Sequence, residues 1–488
     1  MPVLNQGYLA WFALVPLLAY VAGVRSSARA FWGGAIAGGV QFLALLYWIP
    51  PVLSRYGGVS AAGAWGLYAI MLAVLSLYPA AVCALTRYCM NRGGAGFILG
   101  FAPAWICLEF VRGEFPVGGF PWLLLGYSQT GWLRVIQIAD LTGVHGVSFL
   151  IAWMNAALMY CCLRRGCRWR LAPLAFGAIA LTGAIFYGGA ALRRWDGVKP
   201  QQRAALLQGN LSIDEPESAL RQKYQQGYVA MAESLGPGAD LLLLPEAPSP
   251  AIYQRDGSYR ETMKDLARRF PLGMVFNNVC FHDIDGQERF FNCAYYLDGK
   301  GIEMGRYDKI HLVPFGEYVP WQKLFVFSET ISKDVGNFWP GSEFSAFSMN
   351  GHRVNTIICF EAIFPDLVRR FVREGSELMI NLTNDAWYGD TAAPYQHLAM
   401  ARWRAVENRR YLLRAANSGI TAIVAPSGRL QAETGILRAG AAVGGFAFLS
   451  GTTFYTRHGG AFLWLCAIIT LLILAWNGAR SARAPAAN

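Results

Sequence analysis

The chain has 488 residues, 54% of them hydrophobic and only 15% charged, against about 25% charged in an average soluble domain. That excludes a disordered chain and argues against an ordinary cytosolic enzyme. The net charge of +11 does not mark a nucleic-acid binder, because in the apolar regions the arginines sit in short clusters between hydrophobic runs.

Polar residues are unevenly spread. Residues 1–192 hold three acids (Glu109, Glu114 and Asp140) and no lysine, and residues 457–488 hold neither. Residues 193–456 hold all seven lysines and the other 28 acids. The expected organisation is a transmembrane helical domain over 1–192 with about six helices, a catalytic domain over 193–456, and a C-terminal transmembrane helix and tail over 457–488.

Seven runs have the length and apolarity to cross a bilayer: near 8–24, 32–50, 61–86, 95–111, 135–162, 171–191 and 460–477. Arg25 and Arg29, Arg87 and Arg92, the Arg164–Arg170 cluster, and Arg480 and Arg483 follow alternate runs, which places those loops in the cytoplasm. The middle domain then lies on the outer side. Met1 also falls outside with no helix before it, so a first helix is expected upstream. The loop 112–131, rich in Gly, Pro and aromatics, reads either as an interfacial or re-entrant loop or as an aromatic belt. The ten cysteines form no disulfide framework, since most lie in or beside apolar runs, and no C-x-x-C pair exists.

In the middle domain, strands are predicted at 203–209, 240–245, 273–281, 290–297, 353–359, 378–383 and 420–425. Helices are predicted at 216–234, 258–270, 365–374 and 395–414. The alternation argues an α/β fold with both sheet faces covered. One strand ends at Leu244-Pro245-Glu246, another at Ile358-Cys359, and between them Asp308-Lys309-Ile310 opens a turn. In α/β sheets ligands collect beyond the carboxyl ends of strands. A thiol needs a base to become a nucleophile, Glu246 can accept that proton, and Lys309 can stabilise the thiolate and then an oxyanion. The backbone N–H of Phe360 is a second oxyanion donor. Each feature also has a plainer reading: a small buried thiol, a loop carboxylate, a solvated lysine.

Together the motifs are more specific. Leu-Pro-Glu246, Tyr-Asp-Lys309-Ile-His-Leu-Val-Pro-Phe-Gly-Glu317 and Ile-Cys359-Phe-Glu361 resemble the Glu-Lys-Cys signature of the nitrilase (carbon–nitrogen hydrolase) superfamily. Asn381-Leu-Thr-Asn-Asp385 and Pro394-Tyr-Gln-His397 extend the likeness. Phe120-Pro-Trp122 and Gly126-Tyr-Ser-Gln129 narrow it to the bacterial apolipoprotein N-acyltransferase family. The resemblance implies a polytopic α-helical membrane domain joined to an α/β nitrilase-like α-β-β-α sandwich. It implies acyl transfer from a phospholipid, phosphatidylethanolamine in particular, through a Cys359 thioester to the α-amino group of a diacylglyceryl apolipoprotein. Glu246, Lys309 and Cys359 carry over as the triad, with Glu317 and Glu361 as supporting acids. It further implies a monomer in the bacterial inner membrane, with the catalytic domain in the periplasm and neither cofactor nor metal.

The aromatic stretch after the triad lysine suggests a membrane-facing lip built on Trp321, Phe325 and Phe327. Three departures stand out. The family usually has an apolar helix before the first one here, often has tyrosine where this chain has Phe360, and often carries a tryptophan soon after the stretch matching Gln208-Gly-Asn210. His282-Asp283-Ile-Asp285-Gly286 reads as a hairpin turn rather than a metal site. His397 reads as a packing or hydrogen-bonding residue. Arg409, Arg410 and Arg414 read as lipid-phosphate contacts or as partners of nearby acids. The rival readings are a membrane-tethered amidase of the same superfamily and a transporter or receptor with a decayed outer domain. The latter would keep functional polar groups inside its helices, where only Glu109 and Asp140 stand.

Overall fold

Strands of the middle region bury both faces, and their side chains sort by parity. Along β1 (Gln202–Gln208), Ala204 and Leu206 enter one core while Ala205 and Leu207 enter another. β2 (Leu241–Leu243) repeats the split, with Leu241 and Leu243 in the first core and Leu242 in the second. A pleated strand alternates its side chains, so an unbroken apolar run demands a covering layer on each face. The structure, a computed structural model, describes residues 6–90, 95–164, 166–212, 216–235, 238–318 and 338–483.

The remaining strands are β3 (Met274–Ile284), β4 (Gln287–Leu297), β5 (Glu303–Asp308), β6 (Ala346–Met349), β7 (His352–Ile358), β8 (Leu378–Thr383), β9 (Leu412–Ala416), β10 (Ala422–Val424), β11 (Leu430–Glu433) and β12 (Gly440–Phe446). They form two six-stranded sheets, ordered β12-β1-β2-β3-β4-β5 and β11-β10-β9-β8-β7-β6. Each sheet has a parallel centre, β1-β2-β3 and β7-β8-β9, flanked by antiparallel strands. Leu206, Leu243, Val275 and Tyr296 of the first sheet share one core with Val354, Ile357, Ile380 and Leu413 of the second. Tyr224, Tyr228, Tyr259, Met263 and Leu266 cover the other face of the first sheet. Helices Pro365–Arg373 and Ala393–Asn408 bring Val368, Phe371, Leu398 and Ala405 to the second. The layers are α-β-β-α, as the sequence and its resemblance imply.

Five strands escaped the sequence reading: β5, β6, β9, β11 and β12. β9 falls where the predicted helix 395–414 ends. The helix stops at Asn408 because Arg409 adopts a left-handed conformation with φ 51°. β12 reads Gly-Ala-Ala-Val-Gly-Gly-Phe, too poor in β-branched residues to register as a strand, yet it pairs with β1 over seven positions. The hairpin between β3 and β4 turns at Asp285 and Gly286, both at positive φ, as the turn reading expected. A single disulfide, Cys280–Cys293, joins the same two strands.

Contacts divide the chain into two units. One comprises Met1–Tyr47, Trp65–Leu192 and His458–Asn488; the other comprises Trp48–Ala64 and Arg193–Arg457. Within the second unit, Trp48 Nε1 donates to Gln396 Oε1 at 3.2 Å, and Tyr56 packs edge-on against Trp387.

Four helices among the described residues are long and apolar enough to cross a membrane: Ala61–Met90, Val144–Leu163, Ala172–Asp196 and Ala461–Ala479. A fifth span results if Ser27–Leu45 and Ile49–Tyr56 count as one. The seven expected runs are thus not seven regular spans. The first is a 3-10 turn, Gly7–Trp11, followed by a helix of only nine residues, Val15–Gly23. The fifth contains two one-turn helices before Gly143, at φ 64°, starts the long one. Trp32, Ile36 and Val40 recur every fourth residue and lie exposed, as do Ile179, Phe186, Trp464 and Leu472. Apolar side chains turned outward on long helices suit lipid as their solvent. Glu109 and Arg112, on the helix Ala95–Glu114, and Asp140 make hydrogen bonds within the fold. Glu109 Oε1 accepts from the Leu125 N–H at 2.6 Å and from Trp105 Nε1 at 3.0 Å, while Arg112 donates to the Trp122 carbonyl at 2.7 Å. Both therefore pin the loop after Glu114. Asp140 accepts from the Tyr187 hydroxyl.

Candidate active site

Three strand ends deliver the reactive groups. Glu246 lies three residues beyond β2, Lys309 directly follows β5, and Cys359 directly follows β7. Cys359 opens a short 3-10 turn, Cys359–Ile363, and holds a left-handed φ of 49°. A non-glycine residue there is strained, so the surrounding packing must hold it.

Lys309 is 1% exposed at its side chain. Its Nζ lies 2.9 Å from Glu317 Oε1 and 3.8 Å from Glu246 Oε1. Glu246 Oε1 accepts from Asn292 Nδ2 at 2.8 Å, and Oε2 accepts from the Asn384 N–H at 2.9 Å. The same carboxylate lies close enough to the Cys359 thiol for each to shift the other's ionisation. Glu317 Oε1 accepts from Asn292 at 2.8 Å, and its Oε2 accepts from the Val313 N–H at 2.8 Å. One ammonium therefore faces two carboxylates, and one asparagine ties both carboxylates together.

The charges follow from burial and these partners. Burial pushes the Glu246 carboxyl upward and Lys309 pulls it back, with the net shift upward. Burial opposes the Lys309 charge, but Glu317 and Glu246 outweigh it and keep the ammonium protonated. Burial and the neighbouring Glu246 raise the Cys359 thiol despite Lys309, so the resting nucleophile is S–H. Burial, then Lys309, lowers the His311 imidazole to about 4. A raised carboxyl beside a raised thiol suits proton transfer during attack rather than a standing thiolate.

Glu361 braces the site. Its Oε1 accepts from the Tyr307 hydroxyl at 2.7 Å and from the Ile310 and His311 N–H groups at 2.8 and 3.0 Å. Its Oε2 accepts from the Ile358 N–H at 2.7 Å. One buried carboxylate thus fastens the turn after Lys309 to the strand end before Cys359. The Phe360 ring packs against His311 and Phe364.

The chain matches two family models: Apolipoprotein N-acyltransferase N-terminal domain over residues 1–157 and Carbon-nitrogen hydrolase over residues 203–440. An apolipoprotein N-acyltransferase of Geobacter metallireducens is 38% identical over 469 residues, covering 94% of this chain and 88% of that protein. One of Methylococcus capsulatus is 33% identical over 448 residues, covering 89% and 85%. This chain belongs to the apolipoprotein N-acyltransferase family. A solved amidase from Nesterenkonia sp. AN1 aligns at 20% identity with a TM-score of 0.40, covering 54% of this chain and 99% of its own.

For an N-acyltransferase, the structure brings together Glu246, Lys309, Cys359, Glu317, Glu361 and Phe360 from the sequence reading. Trp321, Phe325 and Phe327 lie outside the described residues. Arg409, Arg410 and Arg414 are buried, which removes the reading as lipid-phosphate contacts. Arg409 and Arg410 donate to the backbone carbonyls of Pro426 and Ser376, and Arg414 pairs with Asp385. Cys280, His282 and Asp308 gather three side-chain atoms within 4.8 Å of one another, but the Cys280 sulfur is tied up in the disulfide with Cys293 and offers no thiolate. The Arg306 guanidinium already lies among them, 2.9 Å from Asp308 Oδ1, so a metal would have to displace that cation.

Sequence reasoning missed Asn292. It lies 46 residues from Glu246 and 25 from Glu317. No local spacing flags an asparagine on a strand as the bridge between two distant acids.

Proposed function

We propose that the protein transfers an acyl chain from a phospholipid, phosphatidylethanolamine in particular, to the α-amino group of a diacylglyceryl apolipoprotein, in two half-reactions on Cys359. In the first, Glu246 takes the thiol proton as sulfur attacks the ester carbonyl. Lys309 Nζ and the Phe360 N–H stabilise the oxyanion. The C–O bond breaks, the lysophospholipid leaves with the proton from Glu246, and a thioester remains. In the second, the lipoprotein amine attacks the thioester and Glu246 takes its proton. An amide forms and the Cys359 thiol is restored. Glu317 orients Lys309, and Glu361 holds the two turns in register.

The observation that carries this reading is the burial of the Lys309 ammonium between the Glu246 and Glu317 carboxylates, with the Cys359 thiol in electrostatic reach of Glu246 and Lys309. We propose that the protein resides in the bacterial inner membrane, on its family, with this domain in the periplasm, on the arginine pattern of the loops. The stretch carrying Trp321, Phe325 and Phe327 is proposed as the lipid-facing lip on composition alone.

Intact mass after incubation of detergent-purified protein with phosphatidylethanolamine tests the first half-reaction. A hydroxylamine-sensitive acyl mass on wild type and none on Cys359→Ala is expected. No adduct on folded wild type, with turnover of a soluble amide instead, would overturn the proposal in favour of an amidase.

A further inference from the structure

Behind Cys359 lies a polar network that the proposed chemistry does not use. Asp385, His397 and Arg414 have side chains that are 0% exposed. Arg414 donates to Asp385 Oδ2 at 2.7 Å and also bonds Asn381 Oδ1. Thr383 Oγ1 donates to Asp385 Oδ1 at 3.2 Å. His397 sets Nδ1 3.0 Å from Asp385 Oδ1 and Nε2 3.1 Å from the Cys359 carbonyl oxygen.

Asp385 therefore reaches Cys359 along one chain: it holds Arg414, Arg414 Nη2 lies 3.2 Å from His397 Nδ1, and His397 Nε2 grips the Cys359 carbonyl. A carbonyl oxygen only accepts, so His397 Nε2 must carry a hydrogen, and Nδ1 of the neutral ring then accepts from Arg414 Nη2, 3.2 Å away. This imidazole is not placed as a general base for the sulfur, since it faces the backbone of Cys359. What it can do is hold a backbone that resists being held, because Cys359 is left-handed without being glycine.

We propose that His397 is a positioning residue that locks the strained Cys359 turn through its carbonyl, with Arg414 orienting the ring from Nδ1 and Asp385, itself bonded to Thr383, holding Arg414. The inference rests on Cys359 being the acyl acceptor. It adds a requirement on how that residue is presented.

Two variants separate positioning from simple packing. His397→Gln can place an N–H near the position of Nε2, whereas His397→Asn reaches only as far as Nδ1. Three quantities are measured on each: the rate of acyl loading from phosphatidylethanolamine micelles, the thermal midpoint, and the rate of iodoacetamide alkylation at Cys359 by peptide mapping. His397→Asn is expected to slow loading about 10- to 100-fold with an unchanged apparent KM for the phospholipid, and His397→Gln to recover to within about threefold of wild type. Wild-type loading by His397→Asn, or Gln as slow as Asn, overturns the inference. Should His397→Asn fail to fold, Thr383→Val decides: slowed loading supports the network, and an unchanged rate overturns it. Should wild type accept no acyl chain, the reading of Cys359 as acceptor falls. The positioning claim is then settled by whether alkylation at Cys359 slows in Asn and recovers in Gln.

Discussion

Glu361 offers a demanding test, because every partner of its carboxylate is a donor. Burial raises its carboxyl, while Lys309 and these donors pull the other way. Three donors converge on Oε1 and one on Oε2, so the group serves all four as an acceptor. Glu361→Gln keeps one oxygen but turns an N–H against at least one of the four donors. Losing a hydrogen bond to a charged group and stranding a buried donor costs about 2–4 kcal/mol. In a domain of this size that lowers the thermal midpoint by roughly 5–15 °C. Tyr307→Phe removes one of the four bonds and costs about 1 kcal/mol, a graded control. Because Glu361 ties the Lys309 turn to the Cys359 turn, loading by Glu361→Gln is expected to fall at least about tenfold even well below its midpoint. Differential scanning fluorimetry in detergent and intact-mass loading measure the two effects. A Glu361→Gln protein that keeps both the wild-type midpoint and the wild-type loading rate would refute the bracing role.

Further outcomes concern the charges and the lip. Glu246 must be ionised to take the thiol proton, and burial raises it, so the acid limb of the loading rate should lie above the ordinary carboxylate range and be absent in an inactive Glu246→Gln. A pH profile of single-turnover loading reads this, and a limb at ordinary carboxylate pH speaks against Glu246 as the base. Lys309→Met leaves Glu246 and Glu317 without their cation and should lower loading at least about 100-fold; a milder loss points to another oxyanion partner. Replacing Trp321, Phe325 and Phe327 with serine should slow loading from vesicles while leaving the midpoint in place, and unchanged loading sinks the lip.

Much of the site was legible because its members sit at sequence features of their own. Glu246 and Cys359 end apolar strand runs, and the carboxyl ends of parallel strands are where open α/β sheets gather ligands. Glu317 and Glu361 lie within the same short motifs as Lys309 and Cys359. The strands that went unseen are short, glycine-rich or at sheet edges, where pairing rather than side-chain pattern decides the backbone.

Composition alone determined that the chain has two apolar blocks around a polar domain, since lysines and acids avoid lipid and concentrate in residues 193–456. Alternation within the polar domain determined that its strands are covered on both faces. Only the tertiary structure decided that Asn292 joins two carboxylates, that Glu361 joins two turns, and that Asp385 reaches Cys359 through Arg414 and His397. These residues have partners 25 to 54 positions away or lie behind the reactive face. Local spacing records what a segment becomes by itself; it holds no record of which buried donor meets which acceptor once two sheets close on each other.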